Sequence, residues 1–417
     1  MSVVDALVVG AGPAGSTAAY ELSRRGHRVV VLEEHPRVGY PVQCAGLVSS
    51  RVLKLAGSER MLLGPVHGAT VFGPSLGSVT FKASEPRAFV IDRAGLDIYL
   101  AERASNAGAE FRAGVRFDGF TPGPSGLRRA RLTRVDGTHE ELDARLVLGA
   151  DGVASAVARA ARLRRPVEIL PAFEAEVPRS PGDPDQVEVY LGNDFAPGLF
   201  GWWIPDFAGG ARIGIAARAD GTSARTYFER FVRRVERRFG ASLPAPVGLV
   251  VSGIPIGSLP HLVADRVMLV GDAAAQVKPL SGGGIFTGMT AATEAAQVAD
   301  GALRSDRLDE ATLREYERRF DSKLGEEFRK ARYLRRLFVR LSDAEFDRLL
   351  QALASARMTE SIVAFGDIDF PSHVARRLLR QSPALLRLFP KVLSAWLSSG
   401  EELLPDLEEG PLPRSAT

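Results

Sequence analysis

Gly10, Gly12 and Gly15 form a G-x-G-x-x-G turn between the apolar run ALVV (residues 6–9) and the helix-forming stretch STAAYELSRR (residues 16–25). No other feature restricts the fold of this chain as much. A strand that passes into a helix through three glycines at this spacing belongs to a parallel, doubly wound α/β layer. The first glycine allows the tight turn, the second lets a pyrophosphate approach the backbone, and the third lets the helix pack closely on the sheet. The amides and dipole at the helix N-terminus then face phosphate. Gly26 ends the helix, and HRVVVLE (residues 27–33) supplies the second strand, closed by Glu33. A carboxylate at that position accepts hydrogen bonds from both ribose hydroxyls, which favours a ribose without a 2′-phosphate.

Two later segments add to this one. LVLGADGVASAVAR (residues 146–159) reads as a buried strand, then Asp151-Gly152, then a helix of small residues. The stretch from Asp265 to Asp300 reads as a strand, Gly271-Asp272, a loop with Pro279 and the triplet Gly282-Gly283-Gly284, and a long alanine-rich helix that begins near Ile285. Asp272 can accept hydrogen bonds from a polyol, and the glycines can bring backbone amides against a ring system. The helix N-terminus offers positive potential to an anionic locus. The three segments, in this order, resemble the flavoprotein family typified by aromatic hydroxylases. The resemblance implies FAD, with Asp151-Gly152 near its pyrophosphate and Asp272 on its ribityl chain. FVIDRAGLDIYLAERA (residues 89–104) resembles that family's arginine segment, which implies Arg93 beside the FAD and a helix from about Ala94. The cofactor site expected on this basis comprises Gly10, Gly12, Pro13, Ala14, Gly15, Glu33, Glu34, Cys44, Ala45, Gly46, Arg93, Val115, Asp151, Gly152, Asp272, Pro279, Gly283, Gly284 and Ile285. A second glycine fingerprint is absent, so a separate Rossmann domain for NADPH is not expected. The sequence leaves the electron donor open, with NADPH among the candidates, because relatives of this class bind it transiently without such a motif.

Cys44 is the single cysteine among 417 residues. One cysteine excludes an intramolecular disulfide and fits a reducing cytoplasm. It stands in the loop GYPVQCAGLVS (residues 39–49), which resembles the P-x-x-C segment of the geranylgeranyl reductases. In that branch the loop lies beside the isoalloxazine, so Cys44, Ala45 and Gly46 are expected to line the flavin. The longer Cys-Gly-Glu-Gly form of many relatives is replaced by Cys-Ala-Gly-Leu, and no role of that glutamate is carried over. The bland alternative for Cys44 is a small buried hydrophobe. PGLFGWWIP (residues 197–205) resembles the reductases' P-G-x-Y-x-W-x-F-P, with Phe200 in the Tyr place and Ile204 in the Phe place. Strand parity turns Phe200 and Trp202 inward, where they either wall an apolar tunnel over the flavin or pack as ordinary core. Cys44, Phe200 and Trp202 are the expected catalytic residues, and the proton donor is either Cys44 or an ordered water.

The expected fold is therefore α/β: a Rossmann-like FAD-binding domain, an antiparallel β-sheet cap and a helical C-terminal region. The FAD domain is assigned residues 1–63, 89–161 and 253–301, the cap 64–88 and 162–252, and the helical region 302–417, ending in a disordered tail. SARTYFERFVRRVERRF (residues 223–239) reads as a basic cap helix, and Ser342-Asp343 as a helix start. The basic C-terminal helices, including SPALLRLFPKVLSAWLSSG (residues 382–400), either face water or rest on anionic lipid.

Net charge is +3, and no basic run alternates with aromatics, so nucleic acid is not an expected partner. The six histidines are scattered without ligand spacing, so no metal is expected. Asp5 interrupts the N-terminal apolar run, which reads as a strand rather than a signal peptide, and no apolar span is long enough to cross a bilayer. On these features the protein is expected in the cytoplasm, with contact at the inner face of the membrane as an extension of that expectation. The expected activity is reduction of carbon–carbon double bonds in a prenyl (geranylgeranyl) lipid by hydride from flavin N5. The rivals are a monooxygenase acting on an aromatic or polyketide-like substrate, a halogenase, and a non-catalytic lipid-binding flavoprotein. The halogenase reading rests on FGWWIP, one residue from W-x-W-x-I-P, and on Lys82; the P-x-x-C loop stands against it.

Overall fold

The computed structural model describes residues 3–166, 168–178 and 182–381. Three sheets organise them. In the first, the strands run in the order Val263–Ala264, Val267–Leu269, His139–Gly149, Val4–Val9, Val29–Glu33 and Glu110–Ala113. The first pairing is antiparallel, and the four that follow, from Val267–Leu269 to Glu110–Ala113, are parallel. Parallel strands covered on both faces need side chains that are apolar throughout, and Ala6–Val8 and Val29–Leu32 are all at most 1% exposed. Asp5 is tolerated in the first strand because its carboxylate takes hydrogen bonds from the Arg28 amide (2.9 Å) and Arg145 Nη1 (2.8 Å). The glycine-loop helix (Pro13–Ser23) and the alanine-rich helix (Ile285–Arg304) cover the sheet, and alanines at 291, 292, 295, 296 and 299 let the latter approach closely.

The second, seven-stranded sheet forms the cap. Its order is Val247–Ile256, Glu168–Val177, Ala211–Ala216, Gly201–Pro205, Gln186–Tyr190, Gly68–Phe72, Ser78–Lys82. All pairings are antiparallel except Gln186–Tyr190 against Gly68–Phe72, which is parallel. Period-two alternation gives this sheet two different faces. Phe173, Tyr190, Trp203, Ile213 and Ile215 point to one side, under the basic helix Ala224–Phe239, whose Phe228 meets Phe173 in a tilted contact and whose Phe231 meets Tyr190 edge-on. Burying each such aromatic contributes about 2–3 kcal/mol. Gly201 is required on that face, because a Cβ there would sit 2.6 Å from the Phe231 ring. Phe200, Trp202 and Ile204 point the other way.

Two expectations need correction. The segment 64–88 does not join the cap as a whole: Leu62–Val66 pairs with Ala88–Ile91, which also pairs with Leu47–Val48, in a separate three-stranded sheet. Only Gly68–Phe72 and Ser78–Lys82 enter the cap. The strand Val247–Ile256 also runs past the expected boundary at 252, because its last residues complete the ladder with Glu168–Leu170.

The C-terminal region is helical up to Gln381. Ser342 and Glu345 form the capping box of the helix Asp343–Leu353. The segment 382–417, which includes the second basic stretch and the tail, lies outside the described residues. No helix among the described residues is long and apolar enough to cross a membrane.

Candidate active site

The glycine turn is built by close approach. Gly10 has φ +101°, and a Cβ on it would lie 2.3 Å from Ala150 O; one on Gly15 would lie 1.9 Å from Gly10 O. Gly12 instead faces open space, so a ligand can reach the backbone there. Pro13 and Ala14 open the following helix, whose N-cap, Gly12, provides no side-chain acceptor. Glu33 ends the second strand and accepts from the amides of Ala11 (3.1 Å) and His35 (3.0 Å), which orients the carboxylate. The Glu34 side chain is exposed, and that of Val115 is buried in the core. Asp151 turns back into its own loop, accepting from Ser155 Oγ (2.6 Å) and the amides of Ala156 (2.7 Å) and Val157 (3.0 Å). Its carboxylate thus shapes the turn, while Gly152 faces open space at φ +70°.

Asp272 lies deep at the end of the strand Val267–Leu269. Burial lifts its carboxyl to about 6, against the opposing pull of Arg93. No described residue donates a hydrogen bond to it. The turn that carries it is braced by Gln276, which accepts from the Gly271 amide (2.8 Å) and donates to Tyr316 Oη (2.5 Å); Tyr316 donates to Leu269 O (3.0 Å). Gly284 caps the alanine-rich helix without a side-chain acceptor, and a Cβ there would lie 3.1 Å from Asp272 Oδ1. Arg93, the first residue of the helix Arg93–Asn106, pairs with Asp97 at 2.5 Å; its buried Nε has no hydrogen-bond partner among the described residues. An acceptorless helix start, an unpartnered buried carboxylate, an unpartnered guanidinium nitrogen and an open glycine turn together fit a flavin dinucleotide.

Cys44 sits beside Arg93 and Asp97. Burial pushes its thiol up, against the pull of Arg93, and Sγ accepts from the Gly46 amide (3.5 Å). The cap closes over this loop. Arg212 Nη1 donates to Ala45 O (2.8 Å) and Ile91 O (3.0 Å), while Trp202 packs in one apolar cluster with Ala45 and Leu47. Phe200 meets Trp202 edge-on at 6.5 Å, and both join Leu170, Leu199 and Ile254. Gly282, in the triplet loop, comes so close to Ile254 that a Cβ would lie 3.2 Å from its Cδ1. One apolar wall, with Phe200 and Trp202 at its centre, therefore touches the cysteine loop at one end and, through Ile254 and Leu199, the glycine triplet at the other. Lys82 stands apart from this wall, half-exposed on the far edge strand and paired with Asp183 and Asp185.

The helical region locks the triplet loop. Lys278, buried, donates to Ile368 O (2.7 Å) and Asp369 Oδ1 (3.0 Å). Arg51 binds Asp367 (2.7 Å) and Asp369 (3.2 Å). Arg335 reaches Gly198 O (2.8 Å), Pro279 O (3.4 Å) and Glu168 (2.8 Å), joining cap, loop and helix through one guanidinium. Sequence reasoning did not anticipate Lys278, Arg212, Arg335, Gln276 or Glu174. The one signal it offered was chemical: an inward Trp202 needs an acceptor for its indole N–H.

A family model described as FAD binding domain matches residues 3–319. The chain is 32% identical to digeranylgeranylglycerophospholipid reductase 2 of Methanothermobacter thermautotrophicus, over 93% of this chain and 99% of that protein. It is 31% identical to the digeranylgeranylglycerophospholipid reductase of Methanocaldococcus jannaschii, over 94% and 98%. Among solved structures, a geranylgeranyl bacteriochlorophyll reductase-like protein from Thermoplasma acidophilum superposes with a TM-score of 0.80 at 25% identity, covering 94% of this chain and 98% of that one. A flavin-dependent brominase shares the fold at a TM-score of 0.68 and 14% identity.

Proposed function

The chain belongs to the FAD-binding domain family and, within it, to the group of the digeranylgeranylglycerophospholipid reductases; from that premise we propose that it saturates the prenyl double bonds of a digeranylgeranylglycerophospholipid or a closely related lipid. It is an FAD-dependent oxidoreductase. The observation that carries the substrate reading is the wall of Phe200 and Trp202, which together with Leu199 and Ile254 spans from Ala45 to Gly282. An isolated alkene has no polar handle, so the protein has to fix it by shape and keep water away. Reduced FAD, when bound, supplies the hydride equivalent.

The residues of this chain do the holding. Gly10 to Gly15 and the helix start that follows receive the pyrophosphate, Glu33 the ribose, Asp272 the ribityl hydroxyls, and Gly283, Gly284 and Ile285 the ring. Phe200 and Trp202 hold the chain to be reduced, and Cys44 lies along its edge. A lipid of this class resides in a membrane, so contact with the membrane surface belongs to the proposal. The exposed position of Lys82 gives the halogenase reading no support.

The test is anaerobic. The flavoprotein is reduced with dithionite and mixed with digeranylgeranylglycerophospholipid, and flavin reoxidation is followed together with product mass. Reoxidation with a gain of two hydrogens per double bond is the expected result. Reduced flavin that persists until oxygen enters, with the lipid unchanged, would overturn the proposal and favour a monooxygenase.

A further inference from the structure

Glu174 occupies a position in the cap sheet that packing alone does not explain. Three strands align Trp202, Gly214 and Glu174 in one cross-strand row on the face that looks toward the cysteine loop. Gly214 has no side chain, and a Cβ on it would lie 2.3 Å from the Trp202 ring. The indole therefore lies across the middle strand, and its Nε1 donates to Glu174 Oε2 at 2.9 Å. On the same face, Arg212 stands two residues from Gly214 and donates to Ala45 O, next to Cys44. A glutamate in the middle of a sheet, half-buried below an aromatic substrate wall, is costly unless it carries a proton or serves one.

We propose that Glu174 is the proton donor of the reduction, handing the carboxyl proton to one alkene carbon as the hydride equivalent arrives at the other. This rests on the reductase reading given above. The step balances. The alkene π bond is lost and two C–H bonds form; reduced flavin gives up two electrons and one hydrogen as hydride, and Glu174 gives up the proton. The carboxylate left behind keeps the Trp202 N–H bond and faces Arg212, and it regains a proton from solvent before the next turnover.

The surroundings support the protonated resting form. Burial raises the Glu174 carboxyl to about 7, Trp202 and Arg212 pull it down, and Glu176 pushes it up. The Cys44 thiol senses the charge of Glu174, and beside Cys44 stand the charged groups Arg93 and Asp97. A donor that titrates near neutrality suits general acid catalysis. Cys44, whose thiol is raised, then forms part of the wall rather than the acid.

Glu174→Gln tests this, because glutamine still accepts the Trp202 hydrogen bond and removes only the proton. Infrared difference spectra of the holoprotein across pH should contain a protonated-carboxyl band that disappears with a midpoint of about 7 and is missing in Glu174→Gln. In anaerobic single turnover with the prenyl lipid, the wild-type rate should fall as pH rises through that midpoint. Glu174→Gln should retain FAD and fold but lose about 100-fold or more in rate, and Glu174→Asp should recover part of the loss. A Glu174→Gln variant with the wild-type rate and pH profile would overturn the proposal, as would a spectrum without that band. Wild-type enzyme that leaves the lipid unreduced at every pH would overturn the reductase reading itself, and the role of Glu174 with it.

Discussion

Arg212 of the cap donates to the carbonyl of Ala45 at 2.8 Å, so the residue after the only cysteine is fastened to the sheet that carries the aromatic wall. The same guanidinium nitrogen reaches Ile91 O at 3.0 Å, two residues before Arg93. One side chain thus holds the cysteine loop and the start of the arginine helix in register with the cap. Arg212→Met removes two charge-assisted hydrogen bonds that tie two backbone carbonyls to the cap. It should lower stability by about 2–4 kcal/mol, read by denaturant unfolding of the holoprotein, and should alter the visible circular dichroism of bound flavin. An unchanged flavin band would mean that the loop holds its shape without the cap.

Asp272→Ala should purify with little yellow FAD. The deep carboxylate accepts nothing from the described residues, and its loss should weaken FAD by about tenfold or more, equivalent to one lost hydrogen bond to a charged acceptor. Titration of the FAD-free protein with FAD checks this, and full retention would sink the ribityl assignment.

Cys44 offers a sharper contrast. Cys44→Ser should keep FAD and lose most turnover, because the thiol's shape and polarity form part of the wall. Because burial raises the thiol, alkylation by iodoacetamide should be slow at neutral pH and accelerate only in alkaline buffer. Normal turnover in Cys44→Ser would make the cysteine a packing residue.

Lys278 and Asp369 form a buried pair, with side chains 8% and 2% exposed. Asp369→Ala leaves the Lys278 ammonium with only the Ile368 carbonyl, and should cost about 3–5 kcal/mol. The double variant Lys278→Met, Asp369→Leu should recover much of that loss, since it removes both charges. Thermal melts of the two variants separate the outcomes; equal losses would show that the pair itself is net stabilising.

Glu174 also sets a pH dependence of stability. Its folded value, about 7, lies above the ordinary 4.5. Below about 4.5 the folded and unfolded chains both hold the proton. Between there and about 7 the unfolded chain releases it first, so the folded state loses ground as pH rises. Relative to Glu174→Gln, the wild type should therefore become progressively less stable across that window and level off above it. Melting temperatures of both proteins from pH 4.5 to 8 give the comparison, and a constant difference would place the Glu174 value at its ordinary level.

Local chemistry was legible in the sequence and distant pairing was not. The glycine turn, the closing Glu33, the helix start at Ser342 and the parity that sends Trp202 and Trp203 to opposite faces all follow from neighbours within a few residues. The three-stranded sheet escaped because Leu62–Val66 and Gly68–Phe72 have similar textures, and only tertiary competition decides which sheet each joins. Glu174 escaped for another reason: in the strand sequence PAFEAEV (residues 171–177) a glutamate reads as the solvent face, and only the Gly214 gap and the indole N–H reveal it as a partner. Lys278 stood in a stretch read for its glycines, and nothing near it announces a carboxylate 91 residues further on.

That separation has a bearing on how the protein is made. The ribosome delivers the glycine turn first and the triplet loop much later, but the loop's anchors, Arg335 and Asp369, come 56 residues after Pro279 and 91 after Lys278. A nascent chain that already displays a complete glycine fingerprint still lacks the residues that fix the triplet loop. The proposed cofactor site is thus divided in time: its glycine turn is available early in translation, and its triplet loop is fastened only when nearly all of the described chain has emerged.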